Sequence, residues 1–502
     1  MKKIIYLAIC ACAFSLGSCV KDAEVTTVES TKPSTDGNTT FAFSIQNSDD
    51  STKGTGSVED SGVHDQGEAE EYAVNTVDVY LFNSASHILV KTISLEGINL
   101  VNETASDKVV RYESDEFDVE EGTYSVFAVA NSSNTFTGTT LEQFLAYEDD
   151  SYANNSLMAT IPDEGFIMSN RGSENQLVNI SANEDKTVEI TLERVVVKID
   201  VAQDKDLFEL KDASSDVYAS IKLQNYMLVN LATNYFLFRH VADLTNFVEP
   251  TYSYASNFGN VSDNNGYVID PYFFSKDAAS AGSFTNADGF FFQPLADVAT
   301  SPRWSMMPAS TTSSVSYCLE NTLYQEAQLN GYTTGVVFQA KVLPSAIYTD
   351  SLGSTTSTTP AMVYYCNYKF YNSVATLESC VGGDIVYYDA EGNTVDVDDS
   401  SSTADLEAAG ITRLTLVNGD YPCYYNYWIK HYDNEDADTM GVMEFGVVRN
   451  NHYQLSINSI AGLGTGEPEV EPEQPDETNE TLTVSLNVIP WVVRDQGEVE
   501  LK

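Results

Sequence analysis

Short runs of β-branched and aromatic residues, each bounded by Asn, Asp, Gly or Ser, recur along almost the whole chain. No other feature constrains its folding as strongly. Phe41, Phe43 and Ile45 alternate with Thr40, Ala42, Ser44 and Gln46. Val77 to Phe82, Gly122 to Asn131 and Val188 to Asp200 repeat the pattern. Ala219 to Leu228, Tyr235 to Arg239, Thr334 to Val342, Met362 to Phe370, Arg413 to Val417, Tyr424 to Tyr432 and Glu444 to Ile460 continue it. A period of two buries one face of each segment, and many short strands of this kind build sandwiches or barrels. Thr140 to Leu145 reads as a lone short helix, and the polar interval from Asn246 to Ser316 as loop-rich. The expectation is an all-β chain of two sandwiches, 54–203 and 204–466.

The charge narrows the partners. With 25 Lys and Arg against 74 Asp and Glu, the formal net charge is −49. A general nucleic-acid binder needs basic groups to displace counterions from phosphate, so no nucleic-acid partner is expected. An anionic membrane surface would repel the chain as well. Yet 30 Tyr and 23 Phe make it too aromatic for a disordered acidic tail.

The beginning of the chain reads as an address. Lys2 and Lys3 precede an apolar run, Ile4 to Leu16, which is too short to span a membrane. It closes Leu16-Gly17-Ser18-Cys19, small residues before a Cys, which resembles a bacterial lipobox. On that reading 1–18 is a lipoprotein signal peptide and Cys19 carries the acyl chains, palmitate among them, that hold the protein at the outer membrane. The other reading is an ordinary secretory signal with a chance Cys. Removal of 1–18 takes two Lys and no acid, so the charge becomes 23 − 74 = −51. Four Cys then remain: Cys318, Cys366, Cys380 and Cys423. Their number permits disulfides in an exported protein and fixes no pairing.

The end of the chain is the most specific part. Residues 467–480 contain seven acids and three prolines and read as an extended, self-repelling linker. Beyond it Leu482, Val484, Leu486 and Val488 alternate with Thr483, Ser485 and Asn487 in the segment 481–502. Four such side chains filling a groove contribute roughly 6–12 kcal/mol before costs. A strand on a tether is suited to addition to another subunit's sheet edge, with Trp491 as an anchor. The other reading is a last strand of its own domain. An edge would be opened if 19–53, the tether and first strand, were removed. Lys53 lies in a Gly- and Ser-rich loop accessible to a protease; it also reads as one exposed lysine among several.

These segments together resemble the Bacteroidales fimbrillins, specifically the Mfa-like major subunits of minor fimbriae that build type V pili. The resemblance rests on Tyr317-Cys318-Leu319-Glu320-Asn321-Thr322, Tyr424 to His431, Val448-Arg449-Asn450-Asn451-His452-Tyr453, Ile457 to Ile460 and Val488-Ile489-Pro490-Trp491. Gly122 to Asn131 and Leu192-Glu193-Arg194-Val195-Val196-Val197-Lys198 match in style. It implies two transthyretin-like sandwiches, export as a lipoprotein, and cleavage by a trypsin-like protease after the first strand. The C-terminal strand of one subunit then fills the groove vacated in the next. Carried over, Cys19 is lipidated, Lys53 takes the cleavage position, Phe41, Phe43 and Ile45 mark the displaced strand, and Leu482, Val484, Leu486, Val488 and Trp491 the donor. The family commonly cuts after Arg, so Lys53 is a departure; Arg111, the first Arg, lies beyond the second strand. The implied protein is a pilus-stalk subunit that supports adhesion, first an outer-membrane lipoprotein precursor and then part of an extracellular fimbrium. Its partners are identical or related subunits, the protease and, through lipid, the outer membrane. The alternative is a monomeric surface lipoprotein or tip adhesin that binds glycan or host protein through its loops and the aromatic stripe Tyr421, Tyr424, Tyr425, Tyr427 and Trp428.

Nothing in the sequence favours catalysis. The five His are scattered, and neither a zinc-protease helix motif nor a nucleophile elbow occurs. Gly462 to Gly466 leads into the acidic linker rather than a helix, the wrong setting for a phosphate loop. Asp433 to Asp438 departs from the spacing of a calcium loop and reads as a solvated turn, as do Asp396, Asp398 and Asp399. No catalytic residue, metal or cofactor is expected.

Overall fold

The computed structural model describes residues 37–45, 67–243, 266–276, 290–291, 303–466, 468, 472–476 and 482–490, with short gaps inside the longer stretches. The chain is all-β, as the alternation predicts. A ten-stranded sheet takes up the first part. It contains β1 (Gly37–Ile45), β2 (Thr76–Asn83), β3 (Leu89–Glu96), β4 (Asn99–Thr104), β5 (Val109–Glu113), β6 (Phe117–Val119), β7 (Gly122–Ala130), β8 (Met168–Asn170) and β9 (Lys186–Arg194). Their order is β3-β2-β7-β8-β9-β1-β5-β4, with β6 on β1 and Leu177–Ile180 on β7.

Along β2 and β7 both faces of this sheet are buried, and the period of two decides which residue goes where. Val77, Val79 and Leu81 of β2 share a core with Val126, Ile190, Tyr112 and Val119. Strands from both halves of the sheet thus meet in one core, so the sheet is bent over on itself as a sandwich. Tyr80 and Phe82 face the other way, toward Phe144, Phe238, Tyr317 and Leu319. Phe144 belongs to α1 (Leu141–Leu145), where the sequence reading put a helix; the Thr140 hydroxyl accepts from the Gln143 N–H and closes a capping box.

The one strand expected over Val188 to Asp200 is two. After β9 the chain bends at Val195, whose N–H donates to the Ile167 carbonyl (3.1 Å). β10 (Val196–Gln203) then joins a different sheet, so the change of sheet falls before the expected boundary at 203. The apolar run is continuous because Val195 and Val196 are both buried between the two parts of the molecule.

The second sandwich contains β11 (Phe208–Lys211), β12 (Val217–Val229), β13 (Ser313–Leu319), β14 (Gly335–Pro344), β15 (Tyr421–Trp428), β16 (Asn451–Ile460) and β17 (Leu482–Pro490). One sheet runs β17-β16-β10-β13, the other β11-β12-β14-β15. Val197, Ile199, Leu455 and Ile457 from the first meet Ile221, Leu223, Phe338 and Tyr425 from the second in one core. A satellite layer over 347–415 carries α2 (Val374–Val381) and α3 (Thr403–Ala408), each capped by a Ser hydroxyl. The sequence reading had no helix in this layer.

Candidate assembly site

Two strands define the site, and they occupy opposite positions in their sheets. β1 lies in the interior. It runs parallel to β9, with Phe41, Phe43 and Ile45 registered on Val188, Ile190 and Leu192. On its other side it runs antiparallel to β5, Phe43 opposite Tyr112, and to β6, Thr39 opposite Phe117. Val188, Ile190, Leu192 and Tyr112 are all buried. β1 is also the link between β9 and the β5-β4 pair in the order of the sheet.

Among the described residues β17 is an edge strand with one neighbour. It runs antiparallel to β16, with Val484, Leu486 and Val488 registered on Ile457, Leu455 and Tyr453, and a register shift between Ile457 and Ser459. Those three partners are buried. The C-terminal strand therefore closes a sheet of its own chain in this state. Cys19, Lys53 and Trp491 lie outside the described residues, as does Asp433 to Asp438.

The linker expected over 467–480 is held down where it is described. Asn330 N–H donates to the Gln474 carbonyl (2.9 Å), Gly331 N–H to that of Pro472 (2.9 Å), and Asp476 N–H to that of Gln328 (3.2 Å). The Thr333 hydroxyl donates to Asp476 Oδ2. Asp476 is 1% exposed, and burial pushes its carboxyl pKa well above the ordinary range. A neutral carboxyl and paired backbone groups explain why an acid of this run docks rather than being repelled into water.

Between the sandwiches lies a layer of buried charges that sequence reasoning did not assign. Lys198 Nζ sits 2.9 Å from Glu71 Oε1, and Tyr317 donates to the same carboxylate. Arg194 Nε donates to the Glu71 carbonyl (2.7 Å) and its terminal nitrogen to Asn450 Oδ1 (3.2 Å). Arg239 pairs with Glu193. Arg449 pairs with Glu320 (3.3 Å) and donates to the Phe236 carbonyl (2.8 Å). Glu193, Arg194, Lys198, Glu320, Arg449 and Asn450 all fall in the segments on which the family resemblance rests. The signal was present as motif, and its role as a joint needed the fold.

The four body Cys are free thiols. Burial pushes Cys318 and Cys423 up to about 12, where a thiolate does not form at neutral pH. The stripe Tyr421, Tyr424, Tyr425, Tyr427 and Trp428 is buried and leaves no stacking platform. Asp398 and Asp399 serve turns and caps: Asp399 accepts from the Val374 N–H (2.7 Å) at the start of α2, and Asp398 from that of Ser400 (2.7 Å). Among the described residues no three His, Cys, Asp or Glu gather as metal ligands.

The chain thus has two sandwiches, with its first described strand interior to one sheet and its last described strand at the edge of another. Family models match at both ends of it. Residues 39–195 match the major fimbrial subunit protein (FimA). Residues 419–497 match the C-terminal part of the major fimbrial subunit protein type IV, fimbrillin. Over those residues the chain is similar to major fimbrial subunit proteins, the fimbrillins. A major fimbrium subunit FimA type-4 of Porphyromonas gingivalis is 40% identical over 77 residues, 15% of this chain and 18% of that relative. The chain therefore spans under a fifth of the length of the curated relatives it matches. Among solved structures, a fimbrillin of Porphyromonas gingivalis is 16% identical, with 92% of this chain and 100% of that one covered and a TM-score of 0.42. A putative cell adhesion protein of Parabacteroides distasonis is 13% identical with the same coverage and a TM-score of 0.43.

Proposed function

We propose that the chain is a structural subunit of a cell-surface fimbria that polymerises by donor-strand exchange. The observation that carries this reading is the contrast between β1 and β17. Each is nine residues long. β1 is paired on both sides, so its removal would leave the ladder groups of β9 and β5 without partners beside a buried apolar core. β17 has one neighbour among the described residues and peels from an edge. In this reading Cys19 is lipidated for export to the outer membrane, and a trypsin-like protease cuts after Lys53. β17 of one subunit, with Trp491 just beyond it, then fills the β1 groove of the next. The filament lies outside the cell and supports adhesion. Relatives named as fimbrial subunits support a structural rather than a catalytic role, and the buried aromatic stripe takes away the support for a glycan-binding monomer.

The test is limited trypsin digestion of the chain from Cys19, followed by unboiled and boiled gels and N-terminal sequencing. The expected result is a cut after Lys53 and a heat-sensitive ladder of multimers. Leu486→Asp should abolish the ladder, because it brings a charge into an apolar groove. Normal multimers from that variant would refute the donor assignment.

A further inference from the structure

A separate node in the second sandwich joins a lysine, an asparagine and an aspartate that lie on neither exchange strand. Lys276 and Asp270 are each about 1% exposed, and Asn321 is fully buried. Lys276 Nζ donates to Asn321 Oδ1 (2.7 Å), to Asp270 Oδ2 (2.7 Å) and to the Thr322 carbonyl (2.8 Å). The carboxamide is fixed from its other end: Asn321 Nδ2 faces the Tyr332 carbonyl (2.8 Å), Thr334 Oγ1 (2.9 Å) and the Asn230 carbonyl (3.2 Å). Asp270 is fixed too, by the N–H groups of Thr322 (2.7 Å) and Tyr272 (2.8 Å) and by Thr322 Oγ1 (3.0 Å).

We propose that Lys276 and Asn321 become joined by an intramolecular isopeptide bond, formed by the folded chain itself. The parts are those such a reaction needs: an amine, an amide carbon next to the oxygen it already touches, and a carboxylate to carry protons. Asp270 takes one proton from the Lys276 ammonium. The freed lone pair adds to Cγ of Asn321, and one amine proton passes to Nδ2. The Cγ–Nδ2 bond breaks, and ammonia leaves with the proton held by Asp270. The products are a Lys276–Asn321 amide and one ammonium ion, with Asp270 again a carboxylate. Nothing is oxidised and no co-reactant is used. Burial favours the neutral amine, since desolvation lowers the Lys276 pKa while Asp270 opposes it. Holding amine and amide in contact replaces a bimolecular encounter by an intramolecular one. The oxygens around Nδ2 receive the departing ammonia. A bond of this kind ties Lys276 covalently to the segment that follows β13, whatever the exchange strands do.

The test is the intact mass of the folded full chain, followed by peptide mapping. The expected mass is one ammonia below that of the processed sequence, with one branched peptide carrying both Lys276 and Asn321. Lys276→Met and Asp270→Ala should each restore the full mass, and mass spectrometry reads this even if a variant folds poorly. A full mass with Lys276 and Asn321 in separate unmodified peptides overturns the proposal, because an ion pair alone loses no atoms. Ammonia loss mapped to any other residue overturns it equally. Persistence of the branched peptide in Asp270→Ala would overturn the proton-carrying role of Asp270.

Discussion

Arg449 is wholly buried, and so is its partner Glu320. A buried ion pair is weak evidence of net stabilisation, but removal of one partner strands the other charge without water. Arg449→Ala is expected to cost about 3–5 kcal/mol, read from urea unfolding. Replacing both, Arg449→Met with Glu320→Leu, should recover most of that loss. His240 lies in the same layer, its ring stacked on Phe236 at 3.6 Å and one nitrogen 2.8 Å from the Leu145 carbonyl. Burial pushes its pKa down to about 4 from 6.5, with Arg449 adding to the effect. The unfolded chain therefore binds this proton at a higher pH than the folded one. The stability it contributes is complete above 6.5 and is lost as pH falls toward about 4. Thermal midpoints measured across that window should fall for the native chain and fall less for His240→Phe. None of these roles was legible from the residues alone. Arg449 and Glu320 are 129 positions apart, and a pair at that separation leaves no local pattern, only the family motif.

Strands were legible and their partners were not. Alternation marks a half-buried strand from its own residues, and β7, β12 and β14 fall where it says, while β15 begins three residues earlier and ends four earlier than the expected Tyr424 to Tyr432. It fails to separate β9 from β10, because residues buried between two sandwiches lose the polar beat that would mark the break. It also missed α2 and α3, which are too short for a helical period to stand out. Close packing within β14 gives a prediction of its own. Gly335 is registered on Trp428, and a Cβ there would lie 2.4 Å from the indole and 2.9 Å from the Tyr427 carbonyl. Gly335→Ala should destabilise the second sandwich by about 1–3 kcal/mol through overpacking, seen in thermal unfolding. The docked linker segment carries a pH prediction of opposite sign to that of His240. The Asp476 pKa is raised in the fold, first by burial, with Thr333 and Lys430 pulling the other way. Its contribution is complete below the unfolded value of 3.8 and is lost as pH rises through the folded value. Asp476→Asn should keep the segment docked as pH rises, with slower amide exchange at Asp476 and its neighbours than in the native chain.

At the scale of the molecule, the sheet order makes β1 a keystone. β5 and β4 reach the rest of the first sandwich through it, since the order runs β9-β1-β5-β4 and β6 also pairs with β1. Glu71 is anchored in the charged layer by Lys198 and Tyr317, so a cut after Lys53 would release β1 without unfastening the chain that follows residue 67. The two events should therefore separate in hydrogen exchange. After cleavage and removal of β1, amides of β4, β5 and β6 should lose most of their protection, while β2 and β7, paired with each other, keep theirs. Adding a synthetic peptide of residues 481–493 should restore protection in β5 and β9 together, because a strand in the groove must pair on both sides. The same peptide carrying Leu486→Asp should restore neither. Protection of β5 that survives the loss of β1 unchanged would mean that the sheet closes by itself, and strand exchange would then have no groove to fill.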